Sequence, residues 1–349
     1  MSNYDQFAAA VKEISGGKNI VLLDDLGLPS VYVPINKLKN SEIISGGSEN
    51  THPAFSVNGV EKSRFLYSKY QNIVINGRAY SLSHRDPKTY VNFDQARQAC
   101  EAKGAGFHLG TLAEWAAVAL LTRKMGTMPH GNNNYGGDSA YTYEKGQESA
   151  KDNNKTGRTF TGSGPATWGH DHTQFGIQDM NGNVWEWLGG MRLNEGEIQI
   201  IPYNNAALGS ECDMSASSTL WKAIKNDGSL VAPGTAATLK YDFVSNNIQL
   251  TTGITSAQDA GRGGSYTAMT LASGVTAPEL AKALILYPDE PGKDYGGDYH
   301  WMNNAGERLP LAGGRWSSGA IAGVFRLGLD DARSASGSDI GFRSAYVEL

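Results

Sequence analysis

Apolar and polar residues alternate most regularly near the end of the chain. From Phe325 to Leu329 the apolar residues alternate with Arg326 and Gly328, which predicts a strand with one buried face. Apolar residues punctuated by glycines predict a framework around this strand, formed by Trp316, Val324, Phe325, Leu327, Leu329, Ile340 and Phe342. The positions between them share no chemistry, which is typical of an outward face whose composition nothing fixes. The pattern alone favours an ordinary terminal hairpin with one solvated side.

Upstream of this region the pattern predicts a mixture of short helices and strands. We predict helices at residues 4–14, 93–102, 111–125 and 277–286, and strands at residues 20–23, 31–35, 65–70, 72–75, 79–80, 197–201 and 241–250. The clearest boundaries are the hairpin turn at Asn76-Gly77 and the capping box of Thr111 and Glu114. Two tracts predict loops: residues 126–170, where Tyr141 and Tyr143 are expected to pack against the domain, and residues 261–264.

Composition and charge narrow the class of protein. The chain has 349 residues, of which 43 are Gly and 9% are aromatic, as in a loop-rich globular protein. A net charge of −5 gives no electrostatic footprint for nucleic acid, and no apolar run is long enough for membrane insertion. The start, Met-Ser-Asn-Tyr-Asp, lacks the features of a signal peptide, so we expect synthesis in a cytoplasm. Two cysteines are too few for a disulfide framework, and Cys100 is expected to be a buried thiol.

A motif in the middle of the chain, residues 179–187, reads Asp-Met-Asn-Gly-Asn-Val-Trp-Glu-Trp. It resembles the D-x-x-G-N-V-W-E-W signature of formylglycine-generating-type domains. Residues 107–115 resemble the R-L-P-T-E-x-E-W block of the same family, although Gly110 and Leu112 replace its Pro and Glu. The resemblance implies an α+β fold, the C-type lectin fold of the formylglycine-generating enzyme type. On this basis residues 1–45 form a short N-terminal segment, a lid or an attachment point, and residues 46–349 form the lectin-type domain. Residues from about 192 to 300 are then an insertion, interpreted as surface structure.

The same resemblance implies a structural Ca²⁺ ion in this turn. Its candidate ligands are a side-chain oxygen of Asp179, the main-chain carbonyls of Gly182 and Val184, and the carboxylate of Glu186. Calcium prefers many oxygen ligands, which a tight Asx-Gly turn can supply. The alternative is a turn held by its own hydrogen bonds, followed by a strand with Trp185 and Trp187 on opposite faces.

Residues 313–343 resemble the C-terminal variable region of proteins that are diversified by diversity-generating retroelements. In that family, randomised template adenines change codons for residues on a ligand-binding face, and the changed codons encode only some residue types. The corresponding positions here obey that restriction and are Arg315, Ser317, Ser318, Ala320, Ile321, Arg326, Gly328, Asp330, Asp331, Ala335, Gly337 and Asp339. The resemblance implies that these side chains bind the ligand on a rigid scaffold, with Arg315, Ile321 and Arg326 as the best anchors.

Two functions from different classes follow. The first is a non-enzymatic ligand- or receptor-binding protein, whose partner is a cell-surface protein or glycan and whose setting is a phage tail or a cell surface. The alternative is an enzyme or accessory protein of the formylglycine-generating, sulfatase-modifying superfamily. That superfamily oxidises a substrate with a pair of cysteines near the chain's end, whereas residues 213–349 here contain none. A third possibility is an assembly component, a homo-oligomer formed through the N-terminal segment. His170-Asp171-His172 is a weak metal or general-base motif, because a third ligand is missing.

Overall fold

The computed structural model describes residues 3–349 and contains both helices and sheets. The helices are α1 (Asn3–Ile14), α2 (Asn40–Ile43), α3 (Phe93–Glu101), α4 (Leu112–Met125) and α5 (Glu279–Ala283). None of the helices within residues 3–349 combines the length and the apolar character that a membrane span requires.

The strands are short, and most belong to three sheets. They are β1 (Ile20–Leu23), β2 (Pro29–Asn36), β3 (Ser56–Val57), β4 (Val60–Glu61), β5 (Arg64–Ser68), β6 (Ile73–Ile75), β7 (Arg78–Tyr80), β8 (Phe107–Leu109), β9 (Lys151–Asp152), β10 (Lys155–Thr156), β11 (Trp185–Trp187), β12 (Met191–Asn194), β13 (Glu197–Ile200), β14 (Lys222–Ile224), β15 (Leu230–Val231), β16 (Lys240–Val244), β17 (Asn247–Thr251), β18 (Arg262–Ser265), β19 (Thr270–Leu271), β20 (Tyr299–Met302), β21 (Glu307–Arg308), β22 (Leu311–Gly313), β23 (Gly323–Leu329), β24 (Ile340–Phe342) and β25 (Ser344–Tyr346).

The first sheet joins the two ends of the chain in the order β1-β2-β5-β25-β8. β2 pairs with β5 in antiparallel register, and β25 lies between β5 and β8. The predicted N-terminal segment, of which residues 1–2 lie outside the described part of the chain, therefore contributes two strands to a sheet that it shares with the lectin-type domain.

The second sheet has the order β18-β20-β23-β22-β11-β24 and carries the predicted variable region. β23 is an inner strand, parallel to β20 on one side and antiparallel to β22 on the other. Phe325, Leu327 and Leu329 belong to the main core, as does Trp115 of α4, whose indole nitrogen donates to the carbonyl of Val324 at 2.7 Å. The strand that the alternation predicted is confirmed, but its polar positions are buried as well, because neighbouring strands and loops cover both faces.

The third sheet lies within residues 191–308, and its main path runs β15-β14-β13-β16-β17-β19. Ile198, Tyr241 and Leu250 are buried in the same core as α4, so the interpretation of this part as surface structure is wrong. The predicted strand at residues 241–250 is a hairpin, because Ser245 and Asn246 take left-handed conformations and reverse the chain. The predicted loop at residues 261–264 is also wrong, since β18 pairs with β20.

The predicted boundaries that depend on specific local side-chain interactions are confirmed. The Thr111 hydroxyl accepts from the Glu114 amide at 3.2 Å while the Glu114 carboxylate accepts from the Thr111 amide at 3.0 Å, so α4 begins as predicted. The Asn76-Gly77 hairpin is present between β6 and β7. Of the two expected aromatic anchors, Tyr141 stacks on His130 at a centroid distance of 3.8 Å, but Tyr143 is 80% exposed and anchors nothing.

Candidate functional site

The variable region folds so that seven of its twelve candidate positions line one open cavity. These seven are Arg315, Arg326, Asp330, Asp331, Ala335, Gly337 and Asp339. The cavity has a volume of about 480 Å³ and is also lined by Ser336, Ile340 and the half-buried indoles of Trp185 and Trp301. We call this cavity the cup. Residues that are scattered over 25 positions of sequence and share no chemistry therefore meet at one surface.

The remaining five positions lie around the cup or beside it. A Cβ atom added to Gly328 would lie 3.7 Å from the Trp185 ring and 3.4 Å from the Asp330 carboxylate, so a larger residue there would enter the cup. Ser317, Ser318 and Ile321 are half-buried in the loop between β22 and β23. The exposed Ala320 lines a neighbouring cavity of about 270 Å³.

Arg326 is the most buried charged residue of the cup, with 6% of its surface exposed. Its guanidinium lies over the Trp185 ring, 4.7 Å from the centroid, and its Nη1 donates to the carbonyl of Ile321 at 2.9 Å. Its buried Nε has no hydrogen-bond partner among the described residues. Burial lowers the pKa of Arg326 to about 10, so the side chain is still charged at neutral pH. Arg326 therefore holds the loop between β22 and β23, which we call the rim loop, against β23.

The carboxylates of the cup differ in their surroundings. Asp339 pairs with the half-exposed Arg315 at 2.5 Å. Burial, together with repulsion from Asp330 and Asp339, raises the pKa of Asp331 to about 6. Burial also raises the pKa of Asp330 above its ordinary value.

The rim loop rests on residues far away in sequence. Trp316 donates from its main chain to the carbonyl of Asn183 at 3.3 Å and from its indole to Asp152 at 3.0 Å. The main chain of Tyr135 donates to the carbonyl of Trp316 at 2.7 Å, and that of Gly319 donates to the carbonyl of Asn133 at 2.8 Å. The long polar tract at residues 126–170 thus supports the loop that carries five of the candidate positions.

The four candidate metal-binding residues meet around one side-chain nitrogen. The Nε2 atom of Gln71 donates to the carbonyls of Asp179 at 3.2 Å, Gly182 at 3.5 Å and Val184 at 3.1 Å, and to Glu186 Oε1 at 3.0 Å. The group of Asp179 that accepts from Gln71 is its main-chain carbonyl, and its carboxylate oxygen Oδ1 is buried without a hydrogen-bond partner among the described residues. Asp179 Oδ2 instead accepts from the Gly162 amide at 2.8 Å, and burial raises the pKa of the carboxyl to about 6.

Glu186 also forms a buried ion pair with Arg343. Its carboxylate accepts from Arg343 Nε at 2.5 Å and from Nη2 at 2.6 Å, and both side chains are at most 1% exposed. Burial alone would lower the pKa of Arg343, but the paired carboxylate raises it. Arg343 donates further to the carbonyls of Ser68 and Gln178, both at 3.1 Å. Each of the three side-chain nitrogens of Arg343 therefore has a protein acceptor.

Other groups considered for chemistry are engaged in structure. His170 Nδ1 accepts from the Ile177 amide at 2.9 Å, and burial lowers the pKa of this histidine to about 4. Cys100 and Cys212 are both buried, and burial raises the pKa of each thiol. Within residues 3–349, no group of three or more His, Cys, Asp or Glu side chains is placed to hold a metal ion.

Sequence reasoning missed Trp301 and Gln71. Trp301 lies opposite Gly328 in the register of β20 with β23, and its ring belongs to the cup although the residue lies outside the variable region in sequence. Gln71 lies in a linker between two strands, so only the folded arrangement brings its amide to the 179–186 turn. Neither position carries a periodicity or a spacing that would have marked it.

The sheets, the capped helix α4 and the tight 179–186 turn define an α+β protein with the C-type lectin fold of the formylglycine-generating type. The family model of the sulfatase-modifying factor enzyme 1-like domain matches residues 35–270, and the chain belongs to this family. No curated protein sequence matches the chain.

Solved structures that the chain resembles include variable protein 1 of Treponema denticola, with 13% identity, a TM-score of 0.34 and coverage of 94% of this chain and 98% of that one. PvdO of Pseudomonas aeruginosa has 12% identity, a TM-score of 0.38 and coverage of 93% and 97%. The U1 variant of Major Tropism Determinant has 11% identity, a TM-score of 0.32 and coverage of 90% and 62%. The fold assignment rests on the family match and on the sheets described above.

Proposed function

We propose that the cup is a ligand-binding site whose specificity is set by the side chains of residues 313–343, and that this region is diversified by a retroelement. One observation carries the proposal: seven of the twelve positions without common chemistry line a single cavity. These positions were identified from the sequence by their place between the framework residues. Their meeting at one cavity is a separate observation that supports a common role in binding.

The scaffold beneath the cup favours binding to many different ligands. Phe325, Leu327 and Leu329 are fully buried, and β23 is hydrogen-bonded on both sides. A pre-ordered surface loses little conformational entropy when a ligand binds. Substitutions in the cup therefore alter contacts with the ligand while the fold beneath it stays the same.

The chemistry of the cup suits a macromolecular surface with polar and cationic groups. Two indoles supply flat apolar area, and Arg315, Arg326 and the three carboxylates supply directional hydrogen bonds. A cell-surface protein or glycan on a host bacterium is the partner that we propose, with the chain as part of a phage tail and display on a cell surface as the second setting. The superfamily's oxidation of a substrate cysteine is not proposed, because residues 213–349 lack the cysteines that it uses.

The first experiment is made on the gene. A retroelement predicts a near-copy of the segment encoding residues 313–343 beside a reverse transcriptase, differing only at adenines of the template copy. Differences spread over framework codons, such as those of Trp316 or Phe342, or the lack of any copy, would overturn the diversification.

The second experiment tests the cup itself. A variant with Arg315 and Asp331 replaced by Ala should lose binding to host cells or to an array of their glycans and keep its Tm, since both side chains are half-buried or exposed. Arg64→Ala, an exposed arginine on β5 in the other sheet, is the matched control and should bind as the wild type does. Retained binding by the cup variant would place the site elsewhere.

A further inference from the structure

We propose that the amide of Gln71 and the guanidinium of Arg343 take the place of a metal ion in the 179–186 turn, so that this chain folds and binds without calcium. The part of the inference that concerns folding does not depend on the function proposed for the cup. The part that concerns binding rests on that function.

The position of the Gln71 nitrogen is the first argument. Three main-chain carbonyls and one carboxylate oxygen point at Nε2 from 3.0 to 3.5 Å. Such a convergence of oxygens is what a calcium ion requires, but its oxygens would have to lie at about 2.3–2.6 Å from the ion. The nitrogen occupies the centre of the oxygen cluster, where its two N–H groups are shared among acceptors at 3.0–3.2 Å and the Gly182 carbonyl at 3.5 Å contributes a weaker contact.

The orientation of the Gln71 amide is fixed from its other end. Its Oε1 accepts a hydrogen bond from Asn183 Nδ2 at 2.8 Å, while Asn183 Oδ1 accepts from the Thr159 amide at 2.8 Å. Rotating the Gln71 amide by half a turn would place its oxygen against the four oxygens of the turn. It would also place its NH₂ group against the NH₂ group of Asn183. The hydrogen-bond network therefore allows only the orientation that presents N–H groups to the turn.

Charge gives the second argument. Glu186 supplies the carboxylate oxygen that accepts from Gln71, and Arg343 already balances its charge through two hydrogen bonds in a fully buried pair. A divalent cation would add two positive charges next to a buried guanidinium and would have to displace the Gln71 amide. A cation that displaced Arg343 from Glu186 would break a buried ion pair, which costs free energy. The charges in the turn therefore favour the metal-free arrangement.

The arrangement also joins three distant parts of the chain. Arg343 and Ser344 continue from β24 at the end of the variable region, and Ser344 donates to the Asn72 side chain at 2.7 Å. Gln71 lies beside Asn72, and Trp185 of the cup precedes Glu186. The position of Trp185 is therefore set by protein groups alone, and ligand binding in the cup should not respond to calcium.

The decisive measurement uses the wild-type chain. Thermal unfolding is followed after metal removal, once in excess EGTA and once in millimolar CaCl₂, and the metal content of the purified protein is analysed. We expect the same Tm within about 1 °C, because an ion that does not bind the native state cannot stabilise it, and no calcium bound in proportion to the chain. A rise in Tm of several degrees with CaCl₂, or about one calcium per chain, would overturn the proposal.

A pair of variants tests the part played by Gln71. In EGTA, Gln71→Ala should lower the Tm by more than about 3 °C, because it removes the side-chain donor of the buried Gly182 and Val184 carbonyls. Gln178→Ala is the matched control, since Gln178 is also buried and directly precedes the turn, but its side chain donates only to the carbonyls of Thr173 and Gly176. Equal losses of Tm in the two variants would show that the hydrogen bonds of Gln71 contribute no more to stability than those of Gln178. If Gln71→Ala does not fold, the wild-type comparison still decides the question.

Discussion

Replacing Glu186 by Gln changes one buried atom and removes the charge that Arg343 needs. In the wild-type protein the two side chains form a pair with two hydrogen bonds of 2.5 and 2.6 Å and exposures of 0% and 1%. In either orientation the substituted amide would turn an NH₂ group toward a donor of Arg343, because both carboxylate oxygens accept from that guanidinium. We therefore expect the free energy of unfolding to fall by about 3–5 kcal/mol, the usual range for an uncompensated buried charge.

A second ion pair, between Arg315 and Asp339, shows how much solvent exposure changes the contribution of such a pair to stability. Arg315 and Asp339 also lie at 2.5 Å, but the Arg315 side chain is 47% exposed and that of Asp339 is 17% exposed. Water screens such a pair, and its contribution to stability is about 0–1 kcal/mol. Asp339→Asn should therefore cost at least about 2 kcal/mol less than Glu186→Gln, although the two distances are the same.

Equilibrium unfolding in urea measures both variants against the wild type. Tryptophan fluorescence and far-UV circular dichroism should give coincident transitions, since only then does one free energy describe a chain of this length. A Glu186→Gln variant that lost less than about 1 kcal/mol, or no more than Asp339→Asn, would refute the reasoning that burial makes this pair essential.

Three further outcomes are expected. The pKa of Asp331 is raised, so its carboxyl favours folding below about pH 4 and loses this contribution as the pH rises through about 6. Asp331→Asn should therefore raise the free energy of unfolding above pH 6 by about 1 kcal/mol or less after solvent screening, and have little effect near pH 4, as measured by urea unfolding at the two pH values. Gly182→Ala should cost about 2 kcal/mol or more, because a Cβ there would lie 2.1 Å from the Asn132 carbonyl, whereas Gly234→Ala has the same φ of 78° with open space and should cost less. Cys100 should react with a thiol reagent only on unfolding, since burial raises the pKa of its thiol well above the ordinary value, and reaction in the native state would contradict this placement.

The parts of the fold that the sequence predicts are those governed by local chemistry. The capping box of α4 and the Asn76-Gly77 hairpin depend on side chains a few residues apart, so their boundaries were correct. The framework residues of β23 followed from period-2 alternation. In contrast, Gly263 and Gly264 suggested a loop, and only pairing with β20 makes residues 262–265 a strand. Composition carries no signal for such long-range pairing.

The candidate site was predictable only in part, for the same reason. A resemblance to variable regions marked the positions that meet in the cup, but it did not mark the burial of Arg326, which follows from the loops and strands packed around β23. Trp301 and Gln71 reach the site from other segments. For the turn at residues 179–186, the motif predicts oxygens that converge, yet it does not specify which group lies between them.

The glycines of the second sheet show how one region can hold a fixed framework and varied side chains. A Cβ added to Gly323 would lie 2.2 Å from an oxygen of the buried Asp298, which accepts from the Phe325 amide at 2.7 Å. Any larger residue at position 323 would therefore break a contact that holds β23. A Cβ added to Gly328, five residues further along the same strand, meets Asp330 and Trp185 only at ordinary contact distances. Substitution is therefore tolerated where a side chain enters the cup and excluded where it would enter the core, and this difference allows a rigid strand to present variable contacts.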